Sequence, residues 1–193
     1  MILPLSLDIQ ALTRIVIDAC CLINLAAADA FSTWLPHLGL TWMLPQAVAD
    51  EALFLRGCND QGEPTREPID LEPHLDSGLF QRVALEGPAE MAAFVAHARG
   101  LDDGEAMALA IAQSRGWMLA TDDRKAIAVA CSVQVAVRGT ADLIKRWADT
   151  ADVTDLTIGE TLLRIKRRAR YLPNVRDPLF DWWMGYLTGD SGG

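Results

Sequence analysis

The sequence predicts a three-layer α/β/α domain, a central parallel sheet of about four to five strands covered on both faces by helices, followed by a helical extension. Three observations carry this. Ile15-Val16-Ile17 is a β-branched run without polar alternation, the pattern of a strand buried on both faces. Short apolar runs alternate with helical patterns at the spacing of right-handed crossovers between parallel strands. Two of these runs, "IVI" and "WMLA", are followed closely by aspartates, in the region where open sheets of this class keep their ligand crevice.

Taken in order, "CCLINLAAADAFSTWLPHL" after the first strand reads as a helix to about Phe31, with a break before Pro36. "LTWMLP" is a short second strand, and Pro45 opens the helix "PQAVADEALFLR", since proline suits a first helical turn. The stretch from Gly57 to Gly78 is rich in Gly, Pro and acids and reads as a connection or short hairpin. "LFQRVAL" is the third strand, and "GPAEMAAFVAHARG" and "DDGEAMALAIAQSRG" are alanine-rich helices. "WMLA", "DRKAIAVACS", "VQVAV" and "GTADLIKRWA" complete the alternation as strand, helix, strand, helix. These elements place the main domain in residues 1–148 and the extension in 149–193. In the extension, Ile158, Leu162, Ile165, Ala169 and Leu172 repeat along one helical face, with Arg164, Lys166, Arg167, Arg168 and Arg170 elsewhere. An aromatic stretch, "LFDWWMGYL", follows, and the tail "TGDSGG" reads as disordered.

The composition sets limits on function. The chain of 193 residues carries a net charge of −9, which argues against a broad cationic surface for nucleic acid, because phosphate neutralisation supplies most non-specific affinity. It leaves room for an enzyme that brings its own metal cations and a local basic strip. Cys20, Cys21, Cys58 and Cys131 form no C-x-x-C pair and have no histidine cluster beside them, so they read as reduced thiols of a cytoplasmic protein. The N-terminal apolar stretch is interrupted by Asp8, Arg14 and Asp18, short of the ~18 residues of a membrane span, so no membrane partner is expected. His37, His74 and His97 adjoin no motif and read as ordinary surface or core residues.

Several acids break their local pattern. Asp18 ends the first strand, where it either caps the next helix or faces the crevice. On the helix expected from Gln46 to Arg56, Glu51 falls inside the buried stripe of Val48, Ala52, Leu55 and Phe54. Glu105 lies in line with Ala108, Leu109 and Ala112, although Asp102 three residues earlier also completes a capping box. Thr121-Asp122-Asp123 follow "WMLA"; one aspartate serves as a helix cap and one is left over. The expected fold brings these acids to one rim, where their mutual repulsion raises their pKa values unless a cation joins them. Oxygen ligands without His or Cys suit Mg²⁺ or Mn²⁺. Such ions can hold a phosphodiester and activate water for in-line attack.

These residues resemble the PIN-domain family of metal-dependent nucleases. "IVIDACCLINL" looks like its opening strand-acid-helix motif, "ADEALFL" its second acid, "LDDGEAMALAIA" its third and "MLATDDRKA" its strand-T-x-D motif, over roughly residues 12–140. The resemblance implies a PIN-like fold with Asp18, Glu51, Glu105 and Asp123 as the catalytic, metal-holding quartet, Asp122 as an additional ligand, and Thr121 with Cys20 ordering the site. Cys20 is a departure, since the family often has Ser or Thr there and a thiol is a weaker hydrogen-bond partner. By the same resemblance the expected activity is an Mg²⁺- or Mn²⁺-dependent ribonuclease, as in VapC-type toxins, which are neutralised by an antitoxin and often dimeric. The alternative is a non-catalytic PIN-like module that binds nucleic acid or protein. A haloacid-dehalogenase-type phosphatase would need a second acid two residues after Asp18, where Cys20 stands. Outside the resemblance, Arg164, Arg167 and Arg168 offer a strip for the RNA backbone, with Trp182 and Trp183 for base stacking. The same helix can equally pack on the domain with its charged side in solvent, and the aromatic patch can serve antitoxin binding or a homodimer.

Overall fold

The computed structural model describes residues 13–51, 53–59 and 61–188. In chain order the elements are β1 (Arg14–Ile17), α1 (Ala19–Ala27), α2 (Ala30–Thr33), β2 (Thr41–Pro45), α3 (Gln46–Asp50), β3 (Phe54–Cys58), β4 (Pro64–Pro68), α4 (Glu72–Asp76) and β5 (Phe80–Val83). There follow α5 (Gly87–His97), α6 (Asp103–Arg115), β6 (Met118–Ala120), α7 (Arg124–Ser132), β7 (Val137–Arg138), α8 (Thr140–Thr150), α9 (Asp155–Arg168) and α10 (Phe180–Thr188).

Five strands form one parallel sheet in the order β5-β2-β1-β6-β7. The unbroken apolar character of β1 has its reason here: Ile15 and Ile17 enter the core on one face of the sheet, and Val16 enters the core on the other. All three are fully buried, which contributes about 2 kcal/mol per side chain. From β1 the chain runs outward through β2 to β5, then crosses back to place β6 on the opposite side of β1. The direction of winding therefore reverses between β1 and β6, the point where sheets of this kind open a crevice at their carboxyl ends. Asp18 N–H donates to the carbonyl of Ala120 at 3.0 Å, so the two strand ends are locked in register.

The three-layer architecture is as the alternation predicts, but several boundaries differ. The first helix stops at Ala27 and restarts as α2 after Asp29, which takes a left-handed conformation (φ 58°). Pro45 closes β2 instead of opening a helix, and the helix expected over residues 46–56 is only the short α3. The chain turns extended at Glu51, and β3 pairs antiparallel with β4. This buries Leu53 and Leu55 in the core, where β3 packs against α1 and α9, a distant gain that local helical periodicity cannot register. Residues expected as a connection or hairpin thus hold β4 and α4, and the strand expected at "VQVAV" shrinks to β7.

Helix α9 buries Ile158, Leu162 and Ile165 as its spacing predicts, but it ends at Arg168. Arg170 lies in the left-handed region (φ 58°), and Leu172, beyond the helix, is exposed. In α10, Trp183 is fully buried, edge-on to Tyr171 at 5.4 Å, so it offers no face for base stacking. Trp182 is only half-buried, and Lys145 of α8 sits 5.6 Å from its ring centre. Among the described residues no helix is long and apolar enough to cross a membrane. Asp8 and the tail from residue 189 onward lie outside the described residues.

Candidate metal centre at the switch point

Four helices, α1, α6, α7 and α8, begin at the carboxyl-end rim of the sheet, and each brings an aspartate or its partner to its first turn. The partial positive charge of a helix N-terminus favours such acids. Asp18 stands at the N-cap position of α1, yet its carboxylate makes no cap hydrogen bond. Its Oδ2 instead accepts the Thr121 hydroxyl at 2.7 Å and the Cys20 thiol at 3.1 Å. The side chain is 3 % exposed, and burial raises its pKa, while the bonds from Thr121 and Cys20 partly oppose that rise.

Asp123 does cap its helix. Its Oδ1 accepts from the backbone of Lys125 and Ala126 at 2.8 and 2.9 Å, while its own N–H donates to the Thr121 hydroxyl at 3.1 Å. Thr121, fully buried, therefore ties Asp18 and Asp123 together.

Asp102 and Glu105 form the capping box of α6: Asp102 accepts the Glu105 N–H at 2.8 Å, and Glu105 reaches back to the Asp102 N–H at 3.3 Å. Burial pushes the Glu105 carboxyl up to about 7, with Asp102 and Asp123 adding repulsion. Glu51, exposed at the end of α3, extends its carboxylate over the first turn of α6; a Cβ on Gly104 would lie 2.8 Å from its Oε1. Its pKa is raised too, by the partial desolvation of its carboxylate and then by Asp102 and Asp18. Asp18, Glu51, Glu105 and Asp123 thus lie within electrostatic reach of one another or of Asp102, which the sequence suggests only as a cap, although among the described residues their oxygens form no group of three or more within 4.8 Å.

Asp122 has a different environment. Its Oδ1 accepts the Thr140 N–H at 2.9 Å, and its Oδ2 accepts Asn24 Nδ2 at 3.0 Å, the Cys21 thiol at 3.2 Å and the Thr140 hydroxyl. It pins the start of α8 to α1. Cys20, whose sulfur accepts the Asp122 N–H at 3.2 Å, lies between this network and Asp18. Among the described residues, the donor atoms drawn within 4.8 Å of one another are those of Cys20, Cys21 and Asp122, a mixed set that the sequence reading did not assemble. Asn24, Thr140 and Tyr171 were missed altogether. Of these only Asn24 left a local signal, as the one polar side chain in the apolar α1.

A cleft of about 370 Å³ opens here, lined by Cys20, Glu105, Asp122, Asp123, Arg170 and Tyr171, among others. Of the arginines expected to form one strip, Arg167 and Arg168 line a second cleft beside β3 and β4, whereas Arg164 borders an apolar pocket with Trp34 and Trp147. The histidines stay apart: none lines the acidic cleft.

A parallel α/β domain with carboxylates near its switch point belongs to the open-sheet folds that bind ligands in that crevice. A family model described as a PIN domain matches residues 14–175, well over half of the chain. The chain belongs to the PIN-domain family, whose members are generally nucleases. No curated protein gives a significant match.

Proposed function

We propose that this protein is a divalent-metal-dependent nuclease that hydrolyses RNA phosphodiester bonds, with Asp18, Glu51, Glu105 and Asp123 holding Mg²⁺ or Mn²⁺. One observation carries the reading: desolvation, with repulsion led by Asp102, raises the carboxyl groups of Asp18, Glu51 and Glu105 at the strand ends, where a cation would relieve the conflict. The fit of a hard ion is supported by the donor chemistry, all carboxylate, and by Gly104, whose missing side chain leaves the space that Glu51 occupies. Bound there, the metal would supply charge for a phosphodiester and lower the pKa of water.

The protein's own residues prepare that chemistry. Thr121 and Cys20 fix one oxygen of Asp18, and Thr121 also holds the backbone of Asp123. Glu105, whose carboxyl is raised to about 7, would give up its proton to hold an ion. Asp122, spent on α8 and α1, acts as a positioning residue and would contribute to the metal only secondarily. The finer reading, a cytoplasmic VapC-like toxin with an antitoxin and a homodimeric state, is supported by the family alone.

The test is RNA cleavage with Mn²⁺ by the wild type, Asp18→Asn and Asp123→Asn. Loss in both variants is expected; cleavage retained in both rejects these roles. A second reading, a non-catalytic PIN-like module, draws on the oxygens of Asp18 and Asp123 already engaged by protein donors. Calorimetry separates the two, since a folded protein that takes up no Mn²⁺ at millimolar concentration would favour the module.

A further inference from the structure

The cleft of about 600 Å³ between the β3–β4 hairpin and the end of α9 collects Arg56, Arg66, Arg167, Arg168 and Arg170, and among the described residues no carboxylate lines it. In a chain of net charge −9 this is a local reversal of sign. Among the described residues, only Arg168 of the five has an ion-pair partner, Glu67. The bases at the end of α9 have an ordinary use, since cations suit a helix C-terminus. That use does not extend to the hairpin.

There, Arg56 and Arg66 are direct cross-strand partners. Like charges placed opposite each other destabilise an antiparallel pair, so the hairpin carries a cost that an anion would remove. The third observation is Arg170. It holds a left-handed backbone (φ 58°), unfavourable for a side chain of its size, and it lines both this cleft and the acidic one beside Glu105 and Asp123.

We propose that the arginine cleft binds the phosphate backbone of an RNA strand and leads it past Arg170 to the acidic rim. The inference rests on the nuclease reading for its destination and adds the path. Exposed guanidinium groups on both walls suit a chain of phosphates, because each can pair with one or two phosphate oxygens without reading a base. Glu67 holds Arg168 in place until a phosphate competes for it.

The experiment is fluorescence anisotropy of a short labelled single-stranded RNA with the full chain in EDTA, over a range of salt, so that binding is read without cleavage. Arg56→Ala with Arg66→Ala, and Arg167→Ala with Arg170→Ala, should each weaken binding about tenfold and flatten the log–log salt dependence by about 0.7 per arginine removed. The matching Arg→Lys pairs should keep the slope, and Lys145→Ala should change neither quantity. Wild-type affinity and slope in both alanine pairs would overturn the proposal, as would capture of polyglutamate in place of RNA. Cleavage with Mn²⁺ is measured separately: cleavage with unchanged binding in the arginine variants rejects the path and leaves the nuclease reading, whereas arginine-dependent binding without any cleavage keeps the path and rejects the nuclease.

Discussion

The hydroxyl of Thr121 donates a 2.7 Å hydrogen bond to Oδ2 of Asp18, joining two residues that are 103 positions apart in the chain. The same oxygen of Thr121 accepts the backbone N–H of Asp123, so one buried side chain sets the spacing of two candidate metal ligands. Thr121→Val keeps the shape and removes both bonds. The expected result is a loss of about 1–3 kcal/mol in urea unfolding and weaker Mn²⁺ uptake by calorimetry.

Glu105 makes the metal-free protein sensitive to pH. Its carboxyl is raised in the folded state from 4.5 to about 7, so between these values the folded chain holds a proton that the unfolded chain has lost. Stability from this group is full below the lower value and falls as pH rises through the upper one. Chemical denaturation across that window should show the decline, Glu105→Gln should flatten it, and saturating Mn²⁺ should reverse it by binding the ionised form.

Gly104→Ala separates metal affinity from folding. The added Cβ would meet Glu51 Oε1 at 2.8 Å, the end of a flexible and exposed side chain that can swing away. Alanine favours the helix over glycine by up to about 1 kcal/mol, so thermal unfolding should be unchanged or slightly improved. Calorimetry should nevertheless show weaker Mn²⁺ binding, because Glu51 has been displaced.

The adjacent aspartates should respond differently to the same change. Asparagine caps a helix about as well as aspartate, so Asp123→Asn should leave stability within about 0.5 kcal/mol while removing charge from the rim. Asp122→Asn brings an amide N–H₂ against the donors of Thr140 and Asn24 and should cost about 2 kcal/mol. Parallel urea titrations of the two variants check the contrast.

How far the sequence alone reached follows from the range of each interaction. β1 and β6 were legible because burial on both faces leaves a run of apolar residues, and the acids beyond them stood out against it. The helical spacing of α5, α6 and α8 was equally local. Glu51 was noticed for the wrong reason: no helix continues through it, and its place over Gly104 depends on α6, far along the chain. Asp102 was legible as a cap, but its repulsion of Glu51 and Glu105 was not. The partners of Asp122 come from α1 and α8, and the arginine pair of the hairpin depends on a register that no periodicity encodes.

The winding of the sheet also governs when the acidic rim can exist. A nascent chain that has left the ribosome only as far as β5 already carries Asp18 and Glu51, but neither α6 nor the hydroxyl that orients Asp18. Truncated or half-synthesised copies therefore lack the rim, and any hydrolysis it performs begins only once the late strand β6 has docked beside the first. Under the activity proposed above, that delay would keep an unfinished chain inert toward the RNA around it.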